Sequence, residues 1–168
     1  LSIEAGHSVQ VYDHNAWRSD DETVKNVIAS DKWDLIAVGG ITTAYASIKK
    51  IVRVSKKIFP NTPLCLGGGV LTSIPKEVMN WLPEVDFGFV GEAYKTFPEI
   101  LSMIDEGKKD WHLIKGLIVR LEDNEYYFSP ARELLHNLDQ LPYPAYDLFP
   151  LEEVYFKNSQ LLYSEQGM

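Results

Sequence analysis

The sequence predicts an α/β fold, a doubly wound parallel sheet whose strands are joined by crossover helices. Three apolar runs, residues 34–40, 63–69 and 85–92, each end in a loop that contains glycine. Such runs are typical of strands buried on both faces, and helical periodicity follows two of them. Ligands of parallel α/β sheets bind at the carboxyl ends of the strands. The three glycine loops are therefore the expected binding region.

The first thirty residues predict the end of one helix, a strand and a second helix. Residues 1–6 read as the last turn of a helix that Gly6 ends, and residues 7–12 read as a strand. Ser19 and Glu22 have the spacing of a capping box, which predicts a helix that runs to about Ser30. A doubly wound sheet opens with a strand before its first helix, so we expect a further strand before Leu1.

The central region predicts three strand and helix pairs. Strand 35–38 leads to a loop in which Thr42 or Thr43 caps the next helix. One face of that helix is apolar or small and consists of Ile48, Ile51, Val52, Ser55 and Ile58. Strand 63–66 precedes a helix with Pro75 in its first turn, and strand 86–90 precedes a helix from Thr96 to Glu106.

The carboxyl-terminal third departs from this rhythm. Residues 117–121 and 126–128, separated by a turn at Asp123 and Asn124, predict a β-hairpin. Residues 137–150 are rich in proline and aromatic residues and predict an extended, ordered connector. We therefore divide the chain into an α/β domain (1–110), a hairpin extension (111–136) and a connector (137–168), and expect more chain after Met168.

The charge, the apolar runs and the cysteine content of the sequence argue against several classes of function. The net charge of -8 argues against broad nucleic-acid or anionic-membrane binding. No apolar run approaches the roughly 18 residues of a membrane span, so a cytoplasmic location is expected. The single cysteine, Cys65, lies in an apolar strand and is expected to be a buried structural thiol.

Local motifs leave several alternatives open. The triple glycine 67–69 is either a tight turn or a backbone surface that faces a cofactor, and no phosphate-binding motif follows it. Glu92 accepts hydrogen bonds either from a ligand or from nearby backbone N–H groups. Asp13 is a ribose-binding acid or a solvated residue at a strand end. The lysines of the helix near residue 50 dock an acidic partner or are simply solvated. We assign no catalytic residue and no metal ligand.

The order of these motifs resembles the cobalamin-binding domain on the amino-terminal side of class B radical SAM enzymes. The matching segments are residues 4–9, 34–38, 66–69 with the proline at 75, and 85–92, together with a connector at 138–148 that resembles the one before the radical SAM barrel. The resemblance includes members similar to anaerobic magnesium-protoporphyrin ester cyclase, and it covers nearly the whole chain.

The resemblance implies a flavodoxin-like (Rossmann-like) domain that binds cobalamin at its strand-end loops. Carried over by position, the cofactor-binding residues are Gly39, Gly40, Ile41, Thr42, Thr43, Gly67, Gly68, Gly69, Val70, Leu71, Thr72, Gly91, Glu92, Ala93 and Tyr94. The implied partner is a downstream radical SAM domain of the same chain, which holds a 4Fe-4S cluster and S-adenosylmethionine for methyl transfer or ring and carbon-skeleton chemistry.

Two departures from the family pattern limit what this segment does alone. The Asp-x-His-x-x-Gly signature of a histidine ligand to cobalt is absent, because residues 13–15 have the wrong spacing and position. The three-cysteine cluster motif is absent too, so this segment cannot build the cluster or cleave S-adenosylmethionine. The competing interpretations are a corrin-free domain kept for docking or scaffolding, and a flavodoxin-like (flavin-binding) or receiver-like domain. A receiver needs an aspartate at the end of its third strand, where this chain has Gly39.

Overall fold

The computed structural model describes residues 1–122 and 125–157, which divide into two compact units. One unit joins Leu1–Val27 to the described residues from Asn137 onward, and the other is Ile28–His136. The helices are α1 (His14–Trp17), α2 (Asp21–Ile28), α3 (Tyr45–Ile58), α4 (Gly69–Ser73), α5 (Pro75–Trp81) and α6 (Thr96–Asp105). The strands are β1 (Ile36–Gly39), β2 (Leu64–Gly67), β3 (Phe87–Phe89), β4 (Leu117–Arg120) and β5 (Tyr126–Phe128).

The described strands form one sheet in the order β1-β2-β3-β4-β5. β1 pairs with β2, and β2 with β3, in parallel, with Gly39 opposite Gly67. β4 and β5 add the predicted hairpin in antiparallel pairing beside β3. The α/β class is confirmed, and the sheet is mixed because the hairpin extends it. The predicted turn of the hairpin at Asp123 and Asn124 lies outside the described residues.

Strands β2, β3 and β4 are covered on both faces, as the apolar runs 63–69 and 85–92 predict. The same prediction for run 34–40 was wrong, because β1 lies at the edge of the sheet and Ala37 and Gly39 are exposed. Leu64 and Leu66 of β2 belong to a cluster with residues of α3, α4 and α5. Cys65, whose side chain alternates to the other face, packs in a second cluster with Ile100 of α6 and Trp111. The helices therefore form a layer on each side of the strands.

The amino-terminal segment differs from its prediction in two places. Residues 7–12 form no strand, since no other described strand pairs with them, and a β-strand needs a hydrogen-bonded neighbour. The α2 cap is Asp20, whose carboxylate accepts from Thr23 N at 2.9 Å, and not Ser19, which accepts from the Tyr12 hydroxyl. The predicted helical turn before Gly6 is present and ends with that glycine at φ +93°.

Helix α3 has the predicted buried face but a different start. Ile48, Val52 and Ser55 are buried. A 3-10 turn, Thr42–Ala44, leads into the helix, and neither Thr42 nor Thr43 makes a side-chain capping bond. The prediction of a threonine cap was wrong, because the tight turn brings backbone carbonyls to the N–H groups that the hydroxyls were expected to satisfy.

The connector is built from short turns, Leu138–Gln140, Tyr146–Leu148 and the π-helical Leu151–Phe156. None of the helices in the described ranges is both long and apolar enough to cross a bilayer.

Candidate functional site

The three glycine loops lie at one edge of the sheet. β1, β2 and β3 run parallel, so their carboxyl ends meet at the same edge, and loops 39–43, 67–72 and 91–94 begin at or just after these ends. We call them loops A, B and C. This edge is where the sequence placed the binding region.

Loops A and B approach each other closely. The Val70 N–H donates to the Gly40 carbonyl at 3.2 Å. Gly68 adopts φ +84°, and a Cβ there would lie 2.6 Å from the same carbonyl oxygen. A residue with a side chain at position 68 would therefore push the two loops apart.

Loops B and C are joined by a hydrogen bond from the Gly91 N–H to Thr72 Oγ1 at 3.3 Å. The Thr72 hydroxyl accepts in this bond, so its own proton can still be donated to another acceptor. Thr72 is exposed and holds loop C beside loop B. The sequence predicted Thr72 as a ligand residue and missed this linking role, which depends on a contact across 19 residues.

The side chains of the predicted site separate into an exposed and a buried group. Ile41 is 64% exposed, and the loop threonines, Glu92 and Tyr94 are also exposed. Val70 and Leu71 are buried in the core. Leu71 covers Gly88 of β3, where a Cβ would collide with its Cδ2 atom. These two residues can offer a ligand only their backbone.

The three glycines of loop B differ in whether the fold requires them. Gly68 is required by the contact with Gly40, whereas neither Gly67 nor Gly69 has a left-handed backbone. A Cβ at Gly67 would make an ordinary 3.6 Å contact with Phe89, and one at Gly69 would lie 4.0 Å from Ile41. Packing within the described chain therefore leaves room for a side chain at both positions. The backbone at Gly69 is exposed, and a side chain there would cover it.

Loops A, B and C carry hydrogen-bond donors and one carboxylate. No side chain of the described residues caps α3, so the positive end of its dipole and two threonine hydroxyls face the edge. Glu92 is the only charged residue of loops A, B and C. Such a set suits a ligand with many amide groups and little net charge.

Titratable groups near this edge are few. Burial raises the pKa of the Cys65 thiol far above its usual range, so the thiol is inert. Within residues 1–122 and 125–157, no cluster of three or more histidine, cysteine or carboxylate side chains is placed to hold a metal ion. Asp13, the candidate ribose-binding acid of the sequence analysis, accepts hydrogen bonds from Ala16 N and from the Tyr155 hydroxyl. Its carboxylate is therefore hydrogen-bonded to other residues of the chain.

Two curated proteins resemble the chain over most of its length. An uncharacterized methyltransferase of Pyrococcus horikoshii is 26% identical over 153 residues, which are 90% of this chain and 32% of that protein. The anaerobic magnesium-protoporphyrin IX monomethyl ester cyclase of Rubrivivax gelatinosus is 22% identical over 143 residues, 83% of this chain and 26% of that protein. The chain thus spans about a quarter to a third of these relatives.

Two solved structures share the fold. The radical S-adenosylmethionine methyltransferase TsrM of Kitasatospora setae, with cobalamin and a [4Fe-4S] cluster bound, superposes with a TM-score of 0.68 at 19% identity, over 83% of this chain and 26% of that one. The cobalamin-dependent S-adenosylmethionine radical enzyme OxsB, with aqua-cobalamin and S-adenosylmethionine bound, gives a TM-score of 0.61 at 15% identity, over 78% of this chain and 18% of that one.

The family model of the B12 binding domain matches residues 2–101. This range contains loops A, B and C and ends within α6, so it takes in the whole parallel part of the sheet. The chain belongs to the B12 binding domain family.

Proposed function

We propose that this chain binds cobalamin across loops A, B and C. One observation carries the proposal: three strand-end loops, joined by the Val70–Gly40 and Gly91–Thr72 hydrogen bonds, lie at one edge of the sheet, where the backbone of Gly68 and Gly69 is exposed. A wide, flat macrocycle needs such a surface, since side chains would hold it away from the backbone.

The residues of the edge suit the peripheral groups of cobalamin. Thr42, Thr43 and Thr72 present exposed hydroxyls that donate to the carbonyl oxygens of its amide side chains, and Glu92 accepts from the amide N–H groups. Gly67 and Gly69 are the positions over which the corrin ring would lie. When bound, cobalamin supplies a cobalt centre for group transfer, and the protein supplies its placement.

We further propose that the chain acts as part of a longer radical SAM enzyme. Its curated relatives are about three times its length, and the solved enzymes that share its fold have cobalamin bound and depend on S-adenosylmethionine. The cluster and S-adenosylmethionine would be held elsewhere in that protein, because Cys65 is alone and buried. We propose that the longer enzyme carries out methyl transfer or ring and carbon-skeleton chemistry.

Reconstitution tests the binding proposal. The chain is incubated with hydroxocobalamin, separated from free cofactor by gel filtration and examined by visible absorption, and we expect about one corrin per chain. A folded chain that elutes without corrin absorption would refute cobalamin binding and favour a corrin-free domain kept for docking or scaffolding. Bound flavin fluorescence after the same treatment with FMN would favour the flavin-binding interpretation.

A further inference from the structure

We propose that the exposed apolar side chains of the connector form a docking surface for the remainder of a longer polypeptide that contains this chain. The surface, called the connector face, consists of Leu138, Tyr143, Tyr146 and Phe149. This inference rests on the proposed function, because it requires the longer radical SAM enzyme.

The connector is ordered by its own hydrogen bonds. Leu141 N donates to Leu138 O at 3.0 Å, and Phe149 N donates to Tyr146 O at 3.1 Å. Further along, the Tyr155 hydroxyl donates to the Asp13 carboxylate, which ties the end of the connector to the start of α1. A flexible tether has no such bonds, so the backbone of the connector is ordered at these turns.

The connector has apolar residues of two kinds. Those that are buried or half-buried are Leu141, Pro142, Ala145, Leu148, Pro150 and Leu151. The residues of the connector face are open: Tyr143 is 96% exposed, Leu138 61%, Tyr146 58% and Phe149 39%. Exposed apolar and aromatic groups concentrated on a short, ordered segment mark interaction sites. The exposed side chains of the connector face are therefore available to a partner.

The length of the relatives identifies the partner. The chain spans only 32% and 26% of its curated relatives, so most of such a protein lies outside it. A covalently linked domain has a high effective concentration at the connector, which a separate protein lacks. Exposed acidic residues, Asp139, Asp147, Glu152 and Glu153, flank the connector face. The complementary surface should therefore be an apolar patch with a basic rim.

Oxidative footprinting with mass spectrometry tests this inference. Hydroxyl-radical modification of Tyr143 is measured in the 168-residue chain and in the longer protein, with free tyrosine amide as the dose reference. We expect Tyr143 to react about tenfold more slowly in the longer protein, because its ring is covered there. Equal rates in the two proteins would overturn the proposal. Protection that grows with the concentration of the 168-residue chain would overturn it too, because the partner would then be a second copy.

A paired variant separates docking from cofactor binding. Tyr143→Ser with Tyr146→Ser should leave hydroxocobalamin binding unchanged and should restore the reactivity of Phe149 in the longer protein. The matched control is Tyr127→Ser, an exposed tyrosine of the other unit, which should leave Phe149 protected. If corrin is bound but the connector face is unprotected, the docking proposal fails and the proposed function stands. If the connector face is protected but no corrin is bound, the docking proposal stands and the proposed cobalamin binding fails.

Discussion

Gly68 and Gly69 are adjacent in loop B but serve different purposes. Gly68 has a left-handed backbone and lies where a Cβ would meet the Gly40 carbonyl at 2.6 Å, so the fold requires it. Gly69 begins α4, where alanine would be the better helix former, and its Cβ position is open. A glycine that folding does not require is a candidate for a requirement set by a ligand.

Cys65 gives the stability of the protein a specific dependence on pH. Because burial raises the pKa of its thiol in the folded state, the unfolded chain loses this proton first as the pH rises. Between about pH 8 and about pH 10, the unfolding free energy should fall by about 1.5 kcal/mol more in the wild type than in Cys65→Ala. Urea unfolding of both proteins at the two pH values measures this difference. Parallel pH dependence would show that the thiol ionises equally in both states.

Ser55 has a buried hydroxyl that lacks a hydrogen-bond partner in the described structure. Removal of this group should stabilise the protein, since an unpaired buried polar atom carries a desolvation cost. We expect Ser55→Ala to raise the unfolding free energy by about 1 kcal/mol in denaturant titrations. Ser47→Ala, in the same helix and half-buried, reports the helix-propensity contribution. A clear loss of stability in Ser55→Ala beyond that control would mean that the hydroxyl has a partner.

At the level of elements, Arg120 joins the hairpin to the parallel part of the sheet. Its guanidinium donates to the carbonyls of Met79 and Leu82 at the end of α5, to Val85 O before β3, and to the Tyr126 hydroxyl of β5. It also lies over the Tyr126 ring, 5.2 Å from the centroid. One side chain thus satisfies the last carbonyls of a helix and fixes a hairpin against it.

This arrangement needs the planar fork of arginine. Lysine keeps the charge but cannot reach several acceptors in different directions, so Arg120→Lys should lower the unfolding free energy by about 2 kcal/mol. The comparison is Arg53→Lys. Arg53 is largely exposed and makes an ion pair with Glu84 at 3.4 Å, so its substitution should change the unfolding free energy by less than about 0.5 kcal/mol. Thermal or urea unfolding measures both. Equal, small effects would show that the Arg120 contacts contribute little.

Elements with a local signal were predicted well, and those set by distant contacts were not. The buried face of α3 and the proline start of α5 follow from spacing and proline chemistry in the sequence. Residues 7–12 have the alternation of a strand, but a strand exists only with a neighbour, which local sequence does not specify. The choice of Asp20 over Ser19 as the α2 cap also depended on a competing bond from Tyr12.

At the scale of the whole molecule, the common edge of the three loops was predictable because parallel strands place their carboxyl ends together. The links within this edge were not predictable, since the Gly91–Thr72 bond and the Gly68–Gly40 approach depend on how the loops bend. The burial of Leu71 was not predictable either, because its side chain occupies the space left by the missing Cβ of Gly88. The sequence therefore indicates the position of the edge, and the structure indicates which of its atoms face outward.

The central claim is that the Gly69 surface of loop B receives the corrin ring, and one binding measurement tests it. Gly69→Leu covers the exposed backbone of loop B without affecting a required glycine, and Ser102→Leu adds the same side chain at an exposed position of α6. Both variants are titrated with hydroxocobalamin by visible absorption, with circular dichroism to establish folding. We predict that Gly69→Leu folds but binds at least about tenfold more weakly than wild type, while Ser102→Leu binds normally. Undiminished cobalamin binding by folded Gly69→Leu would contradict the account.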